Sequence, residues 1–490
     1  MMVNQRDIEK RVKDSTDCQY VLDRISDFEN SDDRTQLVSI SKEMFPYEKK
    51  YFPEYTGNCD VLICTVGMRE APIILSLISV KPNKSILLHT QGSEHVADKI
   101  LADPDIEKLN IEFEKVTIDD LDAVHNYKVL KNKVLPQIGN RQNVRIDPTA
   151  GRKIMGTAVG SFAFFFRIPM IYLHAEEKMG ISVPFTGKIC DIENPYDYYG
   201  DVDMQILKAN FDNGYFDAAA EVCEQLRSKV KDLALGKKLD LLQDFIQVYC
   251  DWDRFLHSSF APSAKERKDE SYLSGRLKSI CADCERYGIR LVSEDDLKQN
   301  IEFLEEIENH WKPGANIVDK FRLFDLFQNA QRRAIQGKYD DATARLYRCL
   351  EMCAALLIEK EGFCDINKID YEKFAADHGM TKEDLFARFK EISNFDSPRS
   401  PPGLNDIMTI LQVINVPSAH MYGRMNSSDE NGENLRDKRN RSLLAHGTNP
   451  IIREDYNVLV NGTEKIIAST LGKKDFKQLA RQSDIPKLLI

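Results

Sequence analysis

Asp60-Val61-Leu62-Ile63-Cys64-Thr65-Val66, closed by Gly67, is a short apolar, β-branched run with no polar alternation. Such a run reads as a strand buried on both faces, the kind found inside a parallel sheet. Working outward, Arg69–Ser79 follows as a helix, Ser85–Thr90 as a second strand, and Ser93–Leu101 as a second helix. Ile111–Ile118 alternates apolar and charged residues, as an edge-type strand does, and Asp119 leads into a helix ending near Gly139. Asn143–Asp147 reads as a fourth strand, Arg152–Phe166 as a helix and Ile168–Leu173 as a fifth strand. Strands alternating with helices in this way predict a parallel, doubly wound sheet with right-handed crossovers.

In such sheets ligands sit at the carboxyl ends of the strands. Those ends read Thr65-Val66-Gly67-Met68, His89-Thr90-Gln91-Gly92-Ser93 and Asp147-Pro148-Thr149-Ala150-Gly151-Arg152-Lys153. In the last, Pro148 and Gly151 shape a tight turn and Thr149 is placed to cap the helix, so that exposed N–H groups face an anion. Arg152 and Lys153 add positive charge at that mouth, and His89 and His95 flank it. The pattern is that of a phosphate site. It is not a dinucleotide fingerprint, because Gly-x-Gly-x-x-Gly is absent after the first strand, and no Gly-x-x-x-x-Gly-Lys-Ser/Thr loop is present. The competing reading is ordinary turn chemistry with a well-capped helix.

The chain has 490 residues, which gives material for several cores, and its net charge of −11 argues against coating duplex DNA through a general basic field. Any nucleic-acid contact is expected to be local. Eleven cysteines, scattered from Cys18 to Cys364, fit a reducing cytoplasm better than a disulfide framework. Met1–Lys13 is polar without a signal-peptide core, and the most apolar stretch, Met155–Phe166, is too short to span a bilayer. A cytoplasmic protein without membrane contact is expected. Cys281-Ala282-Asp283-Cys284 lacks a second pair at zinc spacing, so no metal site is expected.

Glu193–Asp203, with Pro195 and Gly200, reads as a linker, and beyond it helical periodicity takes over. Asn213-Gly214-Tyr215-Phe216-Asp217-Ala218-Ala219 resembles Gln336-Gly337-Lys338-Tyr339-Asp340-Asp341-Ala342, and both read as helix-hairpin turns rather than units of a repeat array. Trp311–Asn316 is a second boundary. Phe321–Ala334, Asp341–Lys360, Tyr371–Ala376, Lys382–Ser393 and Leu404–Val413 read as helices, and Asn426–Asn434 as an acidic loop. Then comes Arg439-Asn440-Arg441-Ser442-Leu443-Leu444-Ala445-His446-Gly447. At about 100° per residue, the seven steps from Arg439 to His446 come to about 700°, roughly 20° short of two turns, so the two share a helix face. Arg441 would lie about 140° away from His446, and Arg167 and His174 fall on opposite faces of a strand. A guanidinium beside an imidazole can cut RNA without metal. The imidazole moves protons near neutral pH, the guanidinium grips the phosphate, and RNA carries its own 2′-hydroxyl nucleophile. The alternative is a solvated basic helix end with a capping histidine near Gly447.

The stretch from Tyr55 to Glu177 resembles the CARF domain, the Rossmann-like sensor of CRISPR-associated proteins. The small-residue loop Thr65–Met68 and the Asp147–Lys153 motif stand where that family binds cyclic oligoadenylate. The helical C-terminal part, with Arg439-Asn440 and Leu444-Ala445-His446-Gly447, resembles the HEPN ribonuclease domain. In that order the two make the chain similar to an accessory ribonuclease of type III CRISPR systems. The resemblance implies α/β plus all-α architecture: a CARF domain with N-terminal extension over 1–192, a helical linker domain over 193–314 and a HEPN domain over 315–490. It implies a homodimer, an activator ring of four or six adenylates, a single-stranded RNA substrate and no cofactor. Arg439, Asn440 and His446 would be catalytic. Thr65, Gly67, Met68, His89, Thr90, Ser93, Asp147, Thr149, Gly151, Arg152 and Lys153 would hold the ligand. Alternatives are a CARF-regulated binding or dimerisation protein with an inactive HEPN domain, a ring nuclease that degrades its ligand, and a nucleotide-metabolising enzyme with a helical tail.

Overall fold

The computed structural model describes residues 5–489 apart from 140, 231, 258–272, 311–317, 364, 366–367 and 426–447. It divides into two compact units, Met1–Tyr199 and Gly200–Ile490.

The first unit opens with three helices, α1 (Gln5–Arg11), α2 (Ser15–Asn30) and α3 (Arg34–Tyr51). The expected alternation follows: β1 (Val61–Thr65), α4 (Ala71–Val80), β2 (Lys84–His89), α5 (Glu94–Leu101), α6 (Pro104–Glu107), β3 (Glu112–Thr117), α7 (Ala123–Val129), β4 (Val144–Asp147), α8 (Lys153–Phe166) and β5 (Met170–His174). A short hairpin, β6 (Glu177–Lys178) and β7 (Ile181–Ser182), leads to β8 (Lys188–Ile192). The strand order is β3-β2-β1-β4-β5-β8, parallel through β5, with β8 antiparallel at the edge.

The apolar run at Asp60–Val66 sits in the centre of this sheet because its side chains are needed on both faces. Ile63, paired with Ile86 and Ile146, points into one core with Leu130, Phe162 and Ala163 of the β3–β4 and β4–β5 crossovers. Leu62 and Cys64 point the other way, onto Ile73, Ile74 and Leu77 of α4 and Val96 and Ile100 of α5. β3 is largely exposed, as its alternating charges require. Three details depart from expectation. The segment after Asp119 is not one helix: α7 widens into a π turn at Leu130–Val134 and tightens into a 3-10 turn at Leu135–Gln137, where Pro136 has no N–H to donate. β5 starts at Met170 rather than Ile168, because Arg167 ends α8 in the left-handed region at φ 55° and Pro169 follows. Glu193–Asp203 is not a bare linker, since Asn194 accepts the Tyr196 N–H at 3.0 Å and starts the short helix Pro195–Tyr199. A third core joins α1–α3 to the chain after β5, with Ile8, Val21, Ile25, Phe28, Leu37, Ile40 and Met44 against Ile181, Val183 and Phe185.

Among the described residues the second unit is helical, and its buried apolar side chains from Met204 to Leu488 form one cluster. The helical region expected over 193–314 and the one expected over 315–490 therefore bury their apolar faces in the same interior. The two similar Gly turns each join a helical hairpin, Asp201–Asp212 to Phe216–Lys229 and Lys320–Ile335 to Tyr339–Lys360. They also touch, as Gln336 Nε2 donates to the Gly214 carbonyl at 2.8 Å. Among the described residues no helix is long and apolar enough to cross a membrane.

The polar side of this core ties helix Leu233–Asp253 to helix Lys320–Ile335. Asp325 is buried and accepts from Trp252 Nε1 at 2.9 Å and from His257 Nε2 at 3.0 Å. Asp253 accepts from Arg332 Nε at 2.8 Å and from Asn329 Nδ2 at 2.9 Å, and Asn329 in turn accepts from Arg345 Nε at 2.6 Å. Replacing Asp325 by alanine would leave the Trp252 and His257 donors unpaired in a dry interior. We expect Asp325→Ala to cost about 2–4 kcal/mol, read as a lower thermal midpoint, and an unchanged midpoint would show that these bonds do not hold the helices together.

Candidate functional site at the strand ends

In the order β3-β2-β1-β4-β5, the chain turns from one side of the sheet to the other between β1 and β4. Loops leaving two such strands run to opposite faces and open a crevice between them. Here the crevice floor is backbone against backbone. A Cβ built on Gly67 would lie 2.6 Å from the Gly151 amide nitrogen and 3.2 Å from its Cα, so only glycine fits. Gly151 itself stands at φ +95°, a conformation that favours glycine. The Thr65 hydroxyl donates to the Ala150 carbonyl and locks the two loops together.

Beneath this floor lies Asp147, 2% exposed. Its Oδ1 accepts the Thr149 amide at 2.9 Å and the Thr149 hydroxyl. The Thr149 hydroxyl oxygen also accepts the Leu173 amide at 2.8 Å, which ties the β4 loop to β5. Thr149 therefore does not cap α8. The cap position belongs to Arg152, in extended conformation with no side-chain cap bond, because Ala150 and Gly151 carry the chain past Thr149 before the helix starts. The first-turn amides of Lys153, Ile154 and Met155 thus have no intrahelical acceptor and face outward at the positive end of the helix. Arg152 is 65% exposed and its Nη1 pairs with Asp120 Oδ2 at 2.9 Å. Lys153 is exposed beside it.

The β2 end is built differently. His89 is buried and its Nδ1 donates to the Thr90 carbonyl at 3.1 Å, an assignment that follows from the carbonyl being an acceptor. Thr90 and Ser93 close on each other, with Thr90 N donating to Ser93 Oγ at 3.0 Å and the two hydroxyls 3.2 Å apart. This turn lies one strand over, on the side of β1 away from β4. Of the eleven sequence-derived positions, Met68, Gly151, Arg152 and Lys153 are exposed, Gly67, Thr90 and Thr149 are half-buried, and Thr65, His89, Ser93 and Asp147 are buried. The exposed group offers an anion two cations and a row of amides, and the buried group shapes the loops that present them. Asp120 was missed because the end of the third strand, Ile118-Asp119-Asp120, was not counted among the strand ends.

Arg439, Asn440 and His446 lie outside the described residues. Helix Pro417–Met425 precedes that segment. After it, the Ile451 amide donates to Asp340 Oδ2 at 3.2 Å and Arg453 Nε donates to the Tyr339 hydroxyl at 2.8 Å, at the start of helix Tyr339–Lys360. Among the described residues no group of three or more His, Cys, Asp or Glu is placed to hold a metal ion.

Burial pushes the Asp147 carboxyl above the ordinary carboxylate range, with the Ser76 and Thr149 hydroxyls pulling the other way. A pKa raised in the folded state means stability present at low pH and lost as pH rises from the unfolded value through the folded one. Asp147→Asn removes that loss. The thermal midpoint of Asp147→Asn relative to the native chain is expected to rise between pH 4 and pH 7, and a difference that stays flat or falls would contradict a destabilised carboxylate.

Residues 318–468 match the family model described as the Csm6 HEPN domain. No curated protein matches the chain. Among solved structures, Csm6 of Enterococcus italicus bound to cyclic hexa-2′-fluoro-hexa-dAMP is 13% identical, with 87% of this chain and 98% of that chain covered at a TM-score of 0.45. Can2 of Sulfobacillus thermosulfidooxidans in complex with cyclic tetra-adenylate is 15% identical, covering 59% of this chain and 67% of that one at a TM-score of 0.23. The family match lies within the helical unit toward the C-terminal end of the chain, and the α/β unit precedes it in sequence.

Proposed function

We propose that the chain is a cyclic-oligoadenylate-activated endoribonuclease of type III CRISPR antiviral defence, cutting single-stranded RNA without metal as a homodimer. The observation that carries this is the Csm6 HEPN match over 318–468, because that span contains Arg439, Asn440 and His446. In this reading 1–192 is the sensor, 193–314 the helical middle and 315–490 the nuclease. The activator, of four or six adenylates, sits on the crevice between the β1 and β4 loops, with phosphates on the amides of α8 and on Arg152 and Lys153. An arriving phosphate competes with Asp120 for the Arg152 guanidinium, so ligand binding breaks an ion pair that the empty site holds. Paired subunits present two copies of this site to a symmetric ring.

At the other end, the RNA 2′-hydroxyl attacks the adjacent phosphorus, and the 5′-oxygen leaves, giving a cyclic phosphate and a 5′-hydroxyl. His446 moves the proton, Arg439 stabilises the charge that builds on the phosphorane oxygens, and Asn440 orients the histidine or holds the phosphate. DNA is spared because it lacks the nucleophile. Activation is a population shift: ligand bound better to the closed sensor pair favours the competent nuclease pair.

Fluorescent single-stranded RNA and the same DNA sequence, each with and without cyclic tetra- or hexa-adenylate, test the scheme. Cleavage of RNA only, stimulated by one ring, is expected, and no cleavage with tight ring binding would instead indicate a binding or dimerisation protein. His446→Ala is expected to lose at least about a thousandfold in cleavage rate while still binding the ring. Gly67→Val, which drives the β1 loop into Gly151, is expected to abolish the response to the ring and leave the unstimulated rate intact. Native cleavage by His446→Ala protein would remove the assignment of the nuclease site.

A further inference from the structure

The last helix of the second unit, Lys473–Gln482, begins after the family-model match ends at residue 468 and has two unlike faces. Phe476, Leu479 and Ala480 pack into the core of the unit, with the Phe476 ring 5.1 Å from that of Phe324. At about 100° per residue, Lys473, Lys477, Arg481 and Lys474 fall within an arc of about 100° on the outer side. All four are exposed, and none has an ion-pair partner among the described residues. The one carboxylate of the helix, Asp475, pairs with Lys320 at 3.0 Å instead. Lys360 adds a fifth cation near the first turn, where its Nζ donates to the Thr470 carbonyl at 2.7 Å. On one flank Gln482 donates to Glu302 at 3.5 Å, so the acidic helix Glu294–Asn309 bounds the stripe on that side. In a chain of net charge −11, these unpaired cations on one helix make a positive field of limited extent.

We propose that this helix is a docking strip for the phosphates of the RNA substrate, separate from the residues that cut it. The proposal rests on the reading of the second unit as a ribonuclease and adds to it a second contact that ignores sequence. Lys473, Lys477 and Arg481 are separated by about 6 Å of helix rise at each step, a spacing comparable to that of successive phosphates in an extended single strand. No aromatic side chain lies on this face, because Phe476 is turned inward, so bases are not stacked and the strip reads charge alone. A lipid surface would need the apolar face of the helix to insert, and that face is already buried in the core. The strip stands at the Lys360 end of helix Tyr339–Lys360, whereas Ile451, five residues after His446 in sequence, contacts Asp340 at the other end. A strand reaching from one end to the other must run the length of 22 residues, about 33 Å.

Fluorescence anisotropy on the full chain tests this with a 2′-O-methyl RNA of about 20 nucleotides, which carries the phosphates but no nucleophile. The triple variant Lys473→Gln, Lys477→Gln, Arg481→Gln is expected to bind it about tenfold more weakly at low salt. Three fewer phosphate contacts also lower the slope of log affinity against log salt by about 2. The replaced side chains are exposed, so the thermal midpoint is expected to hold. In cleavage assays the KM for RNA of about 20 nucleotides rises with kcat unchanged, whereas a substrate of about five nucleotides is cut alike by both proteins. No binding by the native protein, or equal affinity and slope in the two proteins, overturns the strip, and ring-stimulated cleavage alongside either result would leave the ribonuclease reading standing. A variant that loses self-association, or binding to phosphatidylserine vesicles, while holding RNA as the native chain does also overturns it, and assigns the helix to a second copy or to a lipid surface. Weakened binding in the variant, with no RNA cleavage by the native chain under either ring, would keep the strip and sink the ribonuclease.

Discussion

Everything at the crevice between the β1 and β4 loops depends on two backbones being allowed to touch. Gly67 and Gly151 belong to loops that leave neighbouring strands for opposite faces of the sheet, and their approach leaves no room for a side chain on the first. Close approach brings the Ala150 carbonyl within reach of the Thr65 hydroxyl, and that bond fixes the turn from which α8 starts. The amides of α8 are then aimed at the crevice by main-chain geometry rather than by flexible side chains. An anion arriving there meets donors that have already lost their freedom, which is how a site gains affinity without a large ordering cost.

The same turn shows how a buried charge can serve position rather than chemistry. Asp147 gains two local bonds from Thr149, and Thr149 passes the constraint on to β5 through the Leu173 amide. Burying the carboxyl costs stability, as its raised pKa records, and what it secures is a single arrangement of the β4 loop. Arg152 plays the opposite part. It is exposed and, among the described residues, its side chain pairs with Asp120, an ion pair of the exposed kind that contributes little to stability.

The central strands could be read directly because strands buried on both faces leave an unbroken apolar signature, and Val61–Thr65 and Lys84–His89 lie within a residue or so of where that signature placed them. The residues at the strand ends were legible as a group for the same reason: topology alone sends them to one edge. Their division of labour was not. Thr149 and His89 carry side chains that could face a ligand or the protein, and only the tertiary positions of Leu173 and the Thr90 carbonyl decide. β8 escaped because Lys188–Ile192 is a half-exposed edge strand of mixed composition, held by pairing with β5 rather than by its own pattern.

The helical unit carries a further consequence. A helical middle region that merely spaced a sensor from a nuclease would need its own core, but Trp252, Tyr249 and Phe303 pack in the same interior as Phe324 and Phe327. Buried bonds from Asp325 and Asp253 then cross between the helix ending at Asp253 and the one starting at Lys320. Packed interiors switch between discrete arrangements rather than deforming continuously. Any change in the helices that carry residues 318–468 must therefore be accommodated by those between 200 and 310, because neither set can move without exposing apolar surface of the other. The middle region therefore shares one packed body with the helices that match the family model.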